Sequence, residues 1–142
     1  MPGFRYRDQV SDVTIEAWGS TLEETLAQAC LGMWALVVDL PTVPLTRDWT
    51  VSACGADLEE LVVSFLNEQI LLFDCEGLVA GGVEGLTLHE KGDEKGDMFE
   101  VRTIMKGCRS DELAAPPGRS IKAATFHGLT VSPRLIEVTL DV

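Results

Sequence analysis

The sequence predicts an α+β fold: two strand–helix repeats followed by antiparallel hairpins, with the helices packed on one face of a mostly antiparallel sheet. Residues 16–26 and 52–62 share one pattern, in which a strand ends in a glycine turn and is followed by a capping residue, Leu-Glu-Glu and an amphipathic helix. After residue 77 the chain instead alternates strand-like segments with polar turns. A length of 142 residues favours a single domain over residues 1–142.

Apolar and polar residues alternate at residues 4–7 and 13–18, which predicts the first two strands. Helices are predicted at about residues 21–37 and 57–74. Each helix start has the spacing of a capping box, formed by Ser20 with Glu23 or Thr21 with Glu24 in the first, and by Asp57 with Glu60 in the second.

Asn67 and Glu68 interrupt the apolar character of the second helix, and the simplest interpretation is that both face solvent. Two hairpins should follow this helix. One joins residues 78–89 to 98–105 through a polar turn, and the other joins residues 120–131 to 135–141 around a Ser-Pro-Arg turn.

Acidic residues outnumber basic residues by 23 to 11, and the formal net charge is −12. Because nucleic-acid binding relies on Lys and Arg, we expect no direct nucleic-acid binding by this chain alone. The charge favours a basic protein partner or a cation, although a generally acidic surface is also common. The sequence has no membrane-length apolar stretch and no signal-peptide pattern, so we expect a cytoplasmic protein. The four cysteines form no Cys-x-x-Cys pair, which argues against zinc.

Two aspartates are candidate cation ligands. Asp12 enters the second predicted strand, and Asp141 ends the last one, next to the carboxylate of Val142. Hard divalent cations prefer carboxylate and carbonyl oxygens, so these three residues would form a site if their strands are neighbours. Each aspartate also has a simpler interpretation, Asp12 as a turn residue and Asp141 as the polar residue of an alternating strand.

The segment around residues 120–129 holds two further candidates. Lys122 lies where a long loop enters the sheet, a common position for functional side chains, but it could be an ordinary exposed lysine. On a regular strand Lys122, Ala124 and Phe126 would share one face. For His127 the pattern favours a structural role near the hairpin, and we keep it as a second candidate for contact with a partner.

The sequence resembles the archease family over nearly the whole chain. The resemblance rests on Ser-Asp-Val-x-Ile-Glu-Ala-x-Gly at residues 11–19, on the Leu-Glu-Glu repeat, and on residues 66–77, 121–129 and 140–142. It implies an accessory protein that activates an RtcB-type RNA ligase in tRNA splicing and RNA repair, by promoting guanylylation and multiple turnover.

The same resemblance implies a divalent cation held by Asp12, Asp141 and Val142, with Ca²⁺ favoured over Mg²⁺ or Mn²⁺, and partner activation by Lys122. One position departs from the family pattern, because Gln9 stands where a histidine is usual. Two alternatives stay open, a chaperone-like modulator of RNA-modifying enzymes and a small metal-dependent enzyme. The sequence shows neither a nucleophile–base pair nor a phosphate-binding glycine loop that would support the enzyme.

Overall fold

The computed structural model describes residues 1–8, 11–93 and 96–142. Seven strands, two α-helices and two short 3-10 helices follow one another along these residues. In chain order they are β1 (Gly3–Asp8), β2 (Asp12–Trp18), α1 (Leu22–Val37), a 3-10 helix (Leu40–Thr42), β3 (Arg47–Gly55), α2 (Leu58–Glu76), β4 (Leu78–Asp93), β5 (Gly96–Arg109), a second 3-10 helix (Ser110–Glu112), β6 (Ala123–Ser132) and β7 (Leu135–Asp141).

The described strands form two antiparallel sheets. One has the order β1-β2-β7-β6 and the other the order β3-β5-β4. The predicted α+β class, with two strand–helix units and then hairpins, is confirmed. The structure adds the division into two sheets, which arises because β7 pairs with β2 while β3 pairs with β5.

Both helices begin where their capping residues predict. The Thr21 hydroxyl accepts a hydrogen bond from the Glu24 backbone N–H at 3.1 Å, and Asp57 accepts one from the Glu60 N–H at 2.8 Å. These bonds satisfy backbone donors that have no partner within the helix. At the other end of α2, Gly77 adopts φ 68°, a left-handed conformation that glycine adopts without steric cost.

The helices lie against both sheets and join them through one core. Helix α1 packs on β2 and β4, and α2 packs on β3 and β6. Fully buried side chains come from both helices and both sheets, among them Ile15, Leu26, Phe65, Met105 and Ile136. The contact between α2 and β6 is important for the site, because β6 follows directly after Lys122.

The hairpin of β4 and β5 is longer than the sequence predicts. Residues 90–93 were expected in the turn, but they belong to β4, and Glu90 pairs with Phe99 and Lys91 with Met98. Glu90, Lys91 and Met98 are exposed, so polar side chains are compatible with strand structure here. The prediction was therefore wrong about where the strands end, because a ribbon outside the core needs no apolar face.

Candidate metal and partner-activation site

Asp12 and Asp141 lie directly opposite each other on neighbouring strands. Asp12 is the first residue of β2 and Asp141 the last residue of β7, and they are register partners. Because β2 and β7 are antiparallel, the start of one strand meets the end of the other. The neighbouring strands that the candidate cation site required are therefore present.

The Asp12 side chain has an oxygen that the protein leaves without a partner. Its Oδ1 atom is buried and accepts no hydrogen bond within the described part of the chain. Leaving a buried acceptor unsatisfied costs about 1–3 kcal/mol, so native proteins usually give such an atom a partner, a water or an ion. Asp141 is exposed at the same end of the sheet. The pair thus combines a buried carboxylate oxygen of Asp12 with a neighbouring carboxylate that is open to solvent. This arrangement suits a bound cation.

A second acid pair lies on the same two strands. Glu16 opposes Glu137, with Thr14 and Thr139 between the two acid pairs and joined through their hydroxyls at 2.8 Å. Directly opposed like charges destabilise a sheet unless something neutralises them.

Two arginines of β1 neutralise this second pair. Arg5 donates to Glu16 at 2.6 Å, and Arg7 donates to Glu16 at 2.6 Å and to Glu137 at 2.9 Å. The hydrogen bond from Arg5, together with the charges of both arginines, lowers the pKa of Glu16. Among the described residues, no Lys or Arg makes an equivalent ion pair with Asp12 or Asp141.

The backbone of three residues surrounds the Asp12–Asp141 pair. The Val142 N–H donates to the carbonyl of Ser11 at 3.4 Å, which ties Val142 to the residue before Asp12. On the other side of β7, the Lys122 N–H donates to the carbonyl of Asp141 at 2.8 Å. Asp12, Asp141, Val142 and Lys122 therefore meet at one end of the four-stranded sheet.

The side chain of Lys122 is exposed, and it forms no ion pair with the residues that the structure describes. The regular strand on which Lys122, Ala124 and Phe126 would share one face is not present. Lys122 precedes β6, Ala124 is buried, and Phe126 is 60% exposed. For Phe126 the β6–β7 register is irregular between Thr125 and Thr130, which interrupts the alternation there.

His127 lies within this irregular stretch and apart from the acid pair. Its backbone N–H donates to the Thr125 hydroxyl at 3.3 Å, and Thr125 pairs with Thr139, away from Asp141 along β7. The residue is exposed. The structure thus brings Lys122 to the aspartates but leaves His127 further along β6.

Asn67 is a residue that the sequence interpretation missed. Its side chain does not simply face solvent, because Oδ1 accepts from the Ala124 N–H at 2.8 Å and Nδ2 donates to the Ala124 carbonyl at 3.2 Å. The available signal was a polar residue that interrupts the apolar pattern of α2. Its partner could not be found from spacing, because α2 and β6 are far apart in the chain.

The polar connection before Asp12 is described only in part. Asp8 forms an ion pair with Arg119, with Nη2 and Oδ2 at 2.7 Å, and this pairing raises the pKa of Arg119. Gln9 lies outside the described residues, so the expectation attached to it stays a prediction. Within residues 1–8, 11–93 and 96–142, no group of three or more His, Cys, Asp or Glu side chains could hold a metal. A cation here would have two side-chain carboxylates, and backbone oxygens would have to supply the rest.

Comparison with known families gives a match over residues 4–142 to the Archease protein family (MTH1598/TM1083). The chain belongs to the archease family. Protein archease of Thermococcus gammatolerans is 31% identical over 92% of this chain and 89% of its own length. Protein archease of Pyrococcus furiosus is 28% identical with the same coverage, and the archease-like protein of Dictyostelium discoideum is 28% identical over 92% of this chain and 85% of its own.

The archease fold is also similar to that of a solved structure. The solution structure of Methanobacterium thermoautotrophicum protein 1598 superposes with a TM-score of 0.71, covers 99% of each chain, and is 21% identical in sequence. At this identity the similarity supports the fold alone. Neither α-helix, in the part of the chain that is described, is long and apolar enough to cross a membrane.

Proposed function

We propose that this protein is an accessory factor that activates an RtcB-type RNA ligase through a divalent cation held at the Asp12–Asp141 end of its sheet. Membership of the archease family supports an accessory role in tRNA splicing at the level of the family. Activation of the ligase, the cation and the residues that act are our own extension of that role.

The observation that carries the proposal is the unneutralised acid pair. Within the described residues, Asp12 and Asp141 oppose each other without an ion pair, and the buried Asp12 Oδ1 accepts no hydrogen bond. The glutamate pair nearby on the same strands is neutralised by two arginines. A cation from outside the chain would supply the missing positive charge.

The proposed ligands are the carboxylates of Asp12 and Asp141 with the carboxylate oxygens of Val142. Few protein ligands and an exposed position imply weak binding, with a dissociation constant on the order of 10⁻⁴–10⁻³ M. Ca²⁺ is favoured because it tolerates irregular oxygen geometry, whereas Mg²⁺ requires a near-ideal octahedron. When bound, such a cation would offset negative charge on the phosphates of the ligase's nucleotide.

Lys122 is proposed to contact the ligase or its nucleotide. Its backbone is fixed to Asp141, its side chain is exposed, and an ammonium group binds phosphate as a point charge. The net charge of −12 would attract a basic ligase surface and speed the encounter. His127, exposed further along β6, is a second proposed contact with the partner. In this proposal the chain itself neither catalyses a reaction nor binds RNA alone.

Multiple-turnover RNA ligation with the cognate ligase, GTP and Ca²⁺, Mg²⁺ or Mn²⁺ tests the proposal. Wild type should stimulate turnover, Asp141→Asn should not, and Lys122→Ala should stimulate less. Glu137→Gln is the matched control, because it removes one negative charge from the same face of β7 yet leaves the Asp12–Asp141 pair intact.

Equal stimulation by Asp141→Asn and Glu137→Gln would overturn the site. No stimulation by wild type, with product formed by the purified chain alone, would favour a metal-dependent enzyme. Stimulation of several unrelated RNA-modifying enzymes to a similar degree would favour the chaperone-like alternative.

Val142 has its own test. Residues added after Val142 turn its carboxylate into a neutral peptide carbonyl, so a C-terminally extended chain should bind the cation more weakly and stimulate less than an N-terminally extended one. Equal behaviour of the two chains would remove Val142 from the ligand set.

A further inference from the structure

The side chain of Asn67 holds the backbone at the start of β6. Its Oδ1 accepts from the Ala124 N–H at 2.8 Å, and its Nδ2 donates to the Ala124 carbonyl at 3.2 Å. A side-chain amide carries one acceptor and a donor group, like a peptide unit, so it can satisfy both backbone groups of one residue at once. Asn67 therefore binds Ala124 as a neighbouring strand would.

Asn67 takes the place of a neighbouring strand because β6 is the edge strand of its sheet. Among the described strands, in the order β1-β2-β7-β6, β6 pairs with β7 alone, and its backbone groups that face away from β7 have no strand partner there. Helix α2 packs against β6, and Asn67 meets this edge at Ala124. Asn67 follows Phe65 and Leu66, which are fully buried, so the helix position from which the amide reaches β6 is fixed by the core.

The chain that enters β6 contains no helix or strand over residues 113–122, but it is held at several points. The Gly118 N–H donates to the Val37 carbonyl at 2.7 Å, Arg119 forms an ion pair with Asp8, and Ile121 is buried in the core. The Lys122 N–H then donates to the Asp141 carbonyl at 2.8 Å. Ala123 then opposes Asp141 in the register. The backbone of residues 122–124 is thus held by β7 on one side and by Asn67 on the other.

We propose that Asn67 is a positioning residue for Lys122, which it acts on through the backbone of Ala124. This inference rests on the proposed role of Lys122 in ligase activation. In the described residues the Asn67 side chain forms hydrogen bonds with Ala124 and not with Asp12, Asp141 or Val142, and in this proposal it does not contact the ligase. Its task is to keep the lysine in a fixed place next to the Asp12–Asp141 pair.

Asn67→Asp is the sharpest variant, because it keeps the shape of the side chain but replaces the amide donor with a second oxygen facing the Ala124 carbonyl. Asn67→Ala is the second variant and removes the contact without adding a charge. Thr103→Val is the matched control. It removes a side chain–backbone hydrogen bond from Thr103 to the Glu84 carbonyl at 2.9 Å, in the other sheet.

The first measurement does not depend on the ligase. Amide hydrogen exchange followed by NMR should show faster exchange at Ala124 and Lys122 in both Asn67 variants, beyond the change at amides of β3 and β5. Thr103→Val should leave Ala124 and Lys122 unchanged. Unchanged exchange at Ala124 and Lys122 in the Asn67 variants would show that Asn67 does not hold this backbone.

The second measurement is a double-mutant cycle in the multiple-turnover ligation assay. Asn67→Asp should lower maximal stimulation by about tenfold, within the range of losses that follow when a group near the chemistry is misplaced. In the Lys122→Ala background the same change should have no further effect, because the two residues act through one group. The ligase concentration for half-maximal stimulation and the Ca²⁺ affinity should stay near their wild-type values.

If the losses of stimulation from Asn67→Asp and Lys122→Ala are additive, the positioning role is overturned. A purely structural effect of Asn67→Asp would add to the loss that Lys122→Ala causes. Full stimulation by Asn67→Asp would overturn the positioning role as well. If wild type itself gives no stimulation, the proposed function fails, and the positioning role fails with it. The exchange data would then show only that Asn67 holds the Ala124 backbone.

Discussion

Strands β2 and β7 carry two opposed acid pairs, and the protein treats them differently. Glu16 and Glu137 are bound by the guanidinium groups of β1, whereas Asp12 and Asp141 have no ion pair among the described residues. The β1–β2 register of the described residues places Arg5 opposite Glu16 and runs as far as Asp8 opposite Val13.

The comparison teaches how to separate a structural charge cluster from a candidate binding site. In the Glu16–Glu137 pair, the arginines of β1 remove the repulsion between the carboxylates. No further positive charge is needed there. In the Asp12–Asp141 pair no ion pair from the described residues offsets the repulsion, and within those residues the buried Asp12 Oδ1 has no hydrogen-bond partner. The Asp12–Asp141 pair is therefore the one at which we propose that a cation binds.

The largest expected effect is on cation affinity. Asp12→Asn should weaken Ca²⁺ binding by more than about tenfold, because even the loss of a group that supports a metal ligand typically costs 10–100-fold. Calorimetric titration with Ca²⁺, Mg²⁺ and Mn²⁺ measures this. Glu16→Gln, the matching change in the neutralised pair, should bind as wild type does. Similar affinities for the two variants would abolish the distinction between the pairs.

The next effect is stabilisation by the cation. At a Ca²⁺ concentration about ten times the dissociation constant, linkage predicts that the free energy of unfolding rises by about 1.4 kcal/mol. Thermal melting with Ca²⁺ and with a chelator should show this rise in wild type and in Glu137→Gln. A rise of the same size in Asp141→Asn would mean that the ion binds elsewhere.

Acid should weaken the neutralised pair. Since the arginines hold the folded-state pKa of Glu16 below its ordinary value of 4.5, this group contributes stability that is present above that value. The contribution is lost as the pH falls through the lowered pKa. Urea unfolding from pH 7 to pH 2 should therefore show the stability advantage of wild type over Glu16→Gln shrinking below about pH 4.5. An advantage that grew towards low pH would show that the arginines do not neutralise this carboxylate.

The smallest expected effect concerns Lys122 and stability. If Lys122 neutralised Asp141 as Arg7 neutralises Glu137, its removal would destabilise the fold. The lysine side chain is exposed and pairs with no acid in the described residues, so Lys122→Ala should change the free energy of unfolding by less than about 0.5 kcal/mol. Chemical denaturation in chelator measures the change. A substantially larger loss would assign Lys122 to the structure and not to the partner.

Local patterns predicted the helices well. Thr21 and Asp57 cap α1 and α2 at the expected residues, because a cap depends on contacts within one turn. The strand ends of β4 and β5 were predicted less well, since polar residues give no signal where a hairpin leaves the core. The expectation of a single domain over residues 1–142 stays a prediction.

The candidate site divides in the same way. Asp12, Asp141, Val142 and Lys122 could be selected from the sequence by type and position, and the structure brings all four to one end of a sheet. Asn67 could not be selected, because an amide in a helix gives no sign of the strand it binds. His127 was selected but lies further along β6, where the register is irregular.

The sequence by itself determined the α+β class, the two capped helices, the acidity and the residues that resemble the archease family. Tertiary structure alone decided which acids oppose each other, which of them receive arginines, and which backbone Asn67 holds. The physical reason is range. Caps and alternation depend on neighbours in the chain, whereas strand order and register depend on how distant segments bury their apolar faces in a common core.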